Sequence, residues 1–265
     1  MSATECIPLH GHILCLTPSG VLIRSRFILD GDRVHGPDSD YTCLAITGLC
    51  ALSEESEIKT VQCPSGVDER VINSYGFNTV KENSEWNIVL HKDASLSITR
   101  DSSIITSNID DGEEIDGGFY LAMRRAWDEE LRSVSQGAYV SEQQYFTGLE
   151  SRLRLLAQKN GEEYHWPARE DNEEYATVAL DRKGTVESWT KSSAAGSPSE
   201  FAFRSPVLNG MTTLLLSLEG GVKGVFLLAD DDDTIPEIGS NVELIVRKIY
   251  AQEGLMRYGL KAHYP

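Results

Sequence analysis

Apolar and polar positions are patterned most regularly near the end of the chain. Residues 185–191, 211–218, 222–229, 241–251 and 256–264 are rich in Val, Ile, Leu, Phe or Tyr and are bounded by Gly, Pro, Asp or Ser, which predicts five strands. Gly220-Gly221 leaves a two-residue connection between the second and third strands, suited to a hairpin turn at positive φ. Residues 230–239 form a long polar connection instead. Short strands with Gly turns and no helix between them predict a small closed barrel of OB type, because closure removes exposed sheet edges.

Upstream the period changes. Tyr145, Leu149, Leu153 and Leu156 repeat at helical spacing. In residues 119–135, Tyr120, Met123, Trp127, Leu131 and Val134 share a stripe, with Arg124, Arg125, Asp128 and Glu129 on the other faces, which predicts an amphipathic helix. Residues 108–118 read as an acidic, Gly-containing linker. Before it, residues 13–16, 21–29, 42–51, 57–62, 86–91 and 95–99 look like short strands. The expected class is therefore mainly β with a few helices. Its parts are a β-rich unit (1–107), the linker (108–118), helices with a ribbon-like segment (119–182) and the OB-type barrel (183–265). The N-terminal unit reads either as a diverged OB-like repeat, since Gly11-His12-Ile13-Leu14-Cys15-Leu16-Thr17 faintly echoes residues 184–190, or as a hot-dog unit. The second would bring a long central helix and hydratase-type Asp and His residues, neither of which the pattern shows.

Composition narrows the function classes. With 41 acidic and 24 basic side chains the net charge is −17, so a phosphate backbone would be repelled and a nucleic-acid role for the OB unit is disfavoured. Asp230-Asp231-Asp232-Asp233 adds to that locally. The run reads as a solvated loop, with a hard-cation site as the sharper alternative, though it lacks the spaced positions of a known ion-binding loop. No apolar run approaches the ~20 residues that span a bilayer. The first residues lack the basic start and apolar stretch of a signal peptide, which leads to the expectation of a cytoplasmic protein with no membrane contact. Five cysteines, all within residues 6–63, do not pair evenly, and reduced thiols are the simpler reading.

Several short segments share an order and spacing with a known family. They are Gly184-Thr185-Val186-Glu187-Ser188-Trp189-Thr190, Phe203 with Pro206, Ile238-Gly239-Ser240-Asn241-Val242, Val246-Arg247-Lys248-Ile249-Tyr250, and Arg257-Tyr258-Gly259-Leu260-Lys261 with Pro265. Together they resemble the acyl-CoA-associated OB-fold family, whose members accompany thiolase-superfamily enzymes. Tyr145-Phe146-Thr147-Gly148-Leu149-Glu150-Ser151-Arg152-Leu153 resembles the helix ahead of that family's zinc ribbon, and residues 160–170 resemble the ribbon's turn and Pro-x-Arg segment. The resemblance covers residues 144–265. It departs from the family at the metal: typical members carry two Cys-x-x-Cys knuckles, whereas residues 145–182 hold no cysteine and only His165. Zinc needs four soft or borderline ligands near one point, so a degenerate, metal-free ribbon is expected.

The resemblance implies an accessory subunit, non-catalytic or co-catalytic, bound in a hetero-oligomer to a thiolase-superfamily or ketosynthase-like protein that supplies the nucleophilic cysteine. It would have no cofactor of its own and would share an acyl-CoA or acyl-carrier substrate with its partner. His165, Trp166 and Arg169 are the expected ligand contacts, Arg being suited to phosphate. Trp127, Tyr164 and Trp166 are the expected partner interface, although apolar stripes and ribbon aromatics are more often plain packing. Other candidate chemistry is thin. His10, His12 and Cys15, with Cys43, Cys50 and Cys63, include metal-ligand types but match no knuckle spacing. Cys63 as a nucleophile would need a base, and nothing places His35 or His91 beside it. No phosphate loop, Rossmann fingerprint or Ser-His-Asp signature occurs. The competing readings are a free-standing enzyme using the N-terminal unit and a diverged scaffold with no acyl ligand.

Overall fold

The computed structural model describes residues 6–55, 57–100, 112–134, 140–168 and 175–265. They form two compact units, Met1–Tyr120 and Leu121–Pro265.

The first unit carries β1 (Cys6–Leu9), β2 (His12–Thr17), β3 (Gly20–Ser25), β4 (Phe27–Leu29), β5 (Asp32–Val34), α1 (Tyr41–Glu55), β6 (Thr60–Gln62), α2 (Glu69–Tyr75), β7 (Asn78–Val80), β8 (Trp86–Leu90), β9 (Ser95–Thr99) and β10 (Glu113–Glu114). Seven strands make one sheet in the order β1-β2-β3-β9-β8-β6-β7, and a second small sheet has the order β10-β4-β5. The run at 42–51, expected as a strand, lies in α1. Asp40 Oδ1 accepts the N–H groups of Thr42 and Cys43 at 2.9 and 3.2 Å, which caps the helix start. Because α1 is buried over most of its surface, its apolar residues show no 3.6-residue period to distinguish them from a strand. Gly48 lets it lie close to the sheet: a Cβ there would fall 2.2 Å from Ile23 Cδ1 and 2.9 Å from Ile98 Cδ1. The sheet order and the central helix do not repeat the C-terminal sheet, so this unit is not a second OB-like copy. α1, at 15 residues, is a long helix where the apolar pattern predicts a strand.

The reduced-thiol expectation also fails at one pair. Cys6 and Cys15 face each other in the β1–β2 register and form a disulfide, with Cα atoms 4.1 Å apart, while Cys43, Cys50 and Cys63 remain free. An odd count requires only that one thiol be left over, and hairpin register decides the rest.

The second unit opens with α3 (Gly117–Arg132), whose first residues precede the unit boundary. Then come α4 (Glu142–Thr147), α5 (Leu149–Leu153) and a three-stranded antiparallel sheet ordered β12-β11-β13 from β11 (Leu156–Asn160), β12 (Glu163–His165) and β13 (Ala176–Ala179). The single helix expected around Tyr145 is thus two short ones, divided at Gly148. Next are β14 (Lys183–Lys191), α6 (Arg204–Val207), β15 (Thr212–Ser217), β16 (Lys223–Leu227), β17 (Asn241–Gln252) and β18 (Leu255–His263).

The five C-terminal strands fall where the pattern predicts them. Their order, β16-β15-β14-β17-β18, puts the first strand in the centre, paired with both the second and the fourth, which is OB connectivity. Leu214, Leu216 and Phe226 point inward at period two. The turn at Gly220-Gly221 has the expected positive φ values, 68° and 74°. The closed barrel does not form. Among the described residues the edge strands meet at one parallel bridge, Leu228 to Ala262, supported by the Ala229 N–H to Ala262 carbonyl bond at 2.9 Å. Beyond that point side chains replace the backbone ladder, because the chain leaves β16 directly into the aspartate run.

Candidate functional site

The first two aspartates of the run, Asp230 and Asp231, enter the protein instead of lying in solvent, whereas Asp233 is exposed. Arg204 is completely buried, and its Nε and Nη1 donate to Glu130 Oε1 and Asp230 Oδ2, each at 2.8 Å. Lys261 Nζ donates to the other oxygen of Asp230, and Arg247 Nη2 lies 3.7 Å from Asp231 Oδ2. Three cations thus face three carboxylates with almost no solvent access. Charges so buried are stable only when paired and hydrogen-bonded. The third Arg204 nitrogen, Nη2, donates to the Ile249 carbonyl at 2.6 Å, and Glu130 Oε2 accepts the Ala251 N–H at 3.4 Å. Hence α3, α6, the aspartate run, β17 and β18 are tied at one point. Burial raises the Glu130 carboxyl to about 7, the pull of Arg204 and of the Ala251 amide notwithstanding.

Trp127 belongs to this frame. Its ring lies 3.8 Å from the Arg204 guanidinium carbon and 4.4 Å from Lys248 Nζ, within cation–π range, and the residue is 4% exposed. Tyr120, Met123 and Trp127 of the α3 stripe are buried against their own chain. The exposed apolar residues of this region are Leu121 and Val134. A second strut joins α4 to β18, where Tyr145 Oη accepts the Tyr258 N–H at 2.7 Å and Arg257 lies over the Tyr145 ring at 5.7 Å.

Beside the frame opens a cleft of about 360 Å³, lined among others by Trp189, Lys191, Met211, Leu228, Asp232 and Ile235. Trp189 and Lys191 come from the end of β14, and Asp232 and Ile235 from the loop after β16. Asp232 is held rigidly: its carboxylate accepts the N–H of Thr234 at 3.0 Å and of Tyr264 at 2.7 Å.

The ribbon residues form a separate aromatic ledge. The Tyr164 ring packs on Gly220, where a Cβ would lie 2.3 Å from it, and Lys159 Nζ donates to Tyr164 Oη at 2.5 Å. Trp166 stacks on Phe226 with centroids 6.0 Å apart. His165 Nε2 lies 3.1 Å from Glu163 Oε1, and its ring sits 5.1 Å from that of Tyr175. Tyr164, His165 and Trp166 are half-buried. Arg169 lies outside the described residues.

The other candidates separate. Cys15 is committed to the disulfide, which removes the thiolate from any metal set with His10 and His12. Cys63 is buried, and burial together with Glu69 and Asp68 pushes its thiol up to about 11, against only Lys81, so it is a poor nucleophile at neutral pH. His91 bonds Ser97 Oγ at 3.1 Å, and His35 packs edge-on to Tyr41 at 4.5 Å. Among the described residues no group of three or more His, Cys, Asp or Glu gathers as a metal site. Sequence reasoning missed Glu130 and Arg204. Glu130 had a signal, being three residues beyond Trp127 and seven beyond Met123, on the apolar stripe. Arg204 sat unremarked between Phe203 and Pro206.

No family model matches the sequence, and no curated protein does. Among solved structures, the Ltp2-ChsH2(DUF35) aldolase matches 48% of this chain and 98% of its own, at 19% identity and a TM-score of 0.33. At that score the likeness adds nothing to the strand order. No helix among the described residues is long and apolar enough to cross a membrane.

Proposed function

We propose that this chain is an accessory subunit, non-catalytic or co-catalytic, that binds a thiolase-superfamily or ketosynthase-like enzyme and helps hold an acyl-CoA or acyl-carrier substrate for carbon–carbon bond chemistry or acyl transfer. One observation carries the reading. The charged residues that mark the family resemblance, Arg247, Lys248, Arg257 and Lys261, are all buried in the OB-order unit as internal struts. The pattern therefore builds a scaffold, and what the scaffold offers outward is a cleft and an aromatic ledge. On this reading the ledge of His165 and Trp166, with Arg169, contacts the nucleotide or pantetheine arm, and the partner supplies the reactive thiolate. The ribbon works without zinc, its aromatic packing standing in for the metal.

Co-expression with a thiolase-like protein encoded beside it, followed by gel filtration and an acyl-CoA turnover assay, tests the proposal. Co-elution and a partner inactive or unstable alone are expected. Separate elution with full activity of the lone partner would refute it. A second reading, a protein-interaction scaffold with no acyl ligand, is favoured by the carboxylates beside the cleft, which oppose the phosphates of CoA. It predicts co-elution without any effect of CoA esters on the complex.

A further inference from the structure

The cleft beside Trp189 combines features that the folding of this chain does not require. Trp189 and Ile235, both in the lining, are 41% and 76% exposed, and Ile238, three residues further along the same loop, is 74% exposed. Apolar surface gathered around a hollow marks a binding site more often than scattered single residues do. That loop also carries Asp232, Asp233 and Glu237 and no Lys or Arg. Asp230 and Asp231 are neutralised internally by Arg204, Lys261 and Arg247, but the other three acids make no ion pair among the described residues. Asp232 is moreover fixed by two backbone N–H groups, so its charge cannot swing away. Lys191 is the lone cation of the lining.

We propose that this cleft is the docking site for a segment of a partner protein that seats one aliphatic or aromatic side chain between Trp189 and Ile235 and places a Lys or Arg, within about three residues of it, against Asp232 and Asp233. Charge complementarity selects this occupant: an apolar hollow under a negative rim, on a chain of net charge −17, rejects anionic ligands and acidic segments alike. The inference rests on the accessory reading for the existence of a partner, not for the chemistry that recognises it.

The probe is a random dodecapeptide display library selected on the immobilised full-length protein. Enriched sequences should pair an apolar residue with a nearby Lys or Arg. A synthetic peptide of the strongest sequence should bind the wild type and lose about tenfold or more in affinity to Asp233→Lys, Ile235→Ser and Trp189→Ser. Val225→Ser, at a residue 67% exposed on β16 and outside the lining, should change nothing. Raising NaCl from about 0.05 to about 0.5 M should weaken binding. Asp233 and Ile235 are exposed, so their variants keep the fold. No enrichment, enrichment of acidic or uncharged sequences, or binding indifferent to the cleft variants would overturn the proposal. No thiolase-like enzyme enters this experiment, so its failure is distinguishable from failure of the co-purification test.

Discussion

Desolvation drives the Glu130 carboxyl up to about 7, with Arg204 and the Ala251 amide pulling it down and Asp230 adding a smaller push upward. In the unfolded chain the same group titrates near ~4.3. Between these values the folded protein keeps a proton that the unfolded chain has released. Glu130 therefore contributes most stability below about pH 4.3, and that contribution is lost as pH rises through about 7. Urea unfolding at several pH values should show the wild type losing up to about 4 kcal/mol across this window relative to Glu130→Gln, which cannot titrate. Parallel pH profiles of the two proteins would mean that Glu130 keeps its ordinary value. Arg204→Met leaves Glu130 and Asp230 buried without their shared cation and should cost about 3–5 kcal/mol, read as a fall in the urea midpoint. Trp127→Asp should act in the same way, unfolding the unit and not merely weakening a surface contact, because the ring lies inside the frame. The sequence marked Trp127 by its period, but period cannot say whether a stripe meets its own chain or another. The aspartate run was half legible for a related reason: four adjacent acids look solvated until Arg204, Arg247 and Lys261, from three other places in the chain, converge on the first two.

At the scale of elements, legibility followed periodicity. The five strands of the OB unit alternate and are bounded by turn residues, so β14 to β18 fall within a few residues of the predicted runs. α1 has neither period nor a polar face and was read as a strand. The cleft was invisible because Trp189 and Ile235 are brought together only by the strand order. Two measurements address elements. In denaturant without reductant, thiol titration should find three free cysteines, Cys43, Cys50 and Cys63, and five after reduction; five thiols before reduction would mean that β1 and β2 are held by hydrogen bonds alone. The second compares fragments. Because α3 supplies Trp127 and Glu130, and the carbonyls of Leu131 in its last turn and of Ser133 just beyond it accept the N–H groups of Gly254 and Glu253, a fragment of residues 117–265 should unfold cooperatively in urea. One beginning at 140 should be less stable by several kcal/mol, since it strands the buried Arg204. Equal stability of the two would show that α3 is dispensable to the frame.

At the scale of the whole molecule, the question is what holds the β12-β11-β13 sheet in place if, as proposed, no zinc does. A structural zinc contributes folding energy by gathering four ligands. Residues 145–182 offer one histidine and no cysteine, and that histidine is engaged with Glu163 and packed near Tyr175. Aromatic side chains occupy the neighbourhood instead: Tyr164 against the Gly220 turn and Trp166 on Phe226 connect β12 to the OB sheet directly. Those contacts bury apolar surface and need no ion, so the β12-β11-β13 sheet can keep its position without a metal. Protein purified without chelator should then contain well under one zinc per chain by elemental analysis, and added EDTA should leave its thermal midpoint unchanged. One tightly held zinc per chain would sink this account. Because the ribbon lacks the ligands, such a metal would have to be sought among His10, His12 and the free cysteines of the N-terminal unit, and its removal would then lower the stability of that unit and not of the OB sheet.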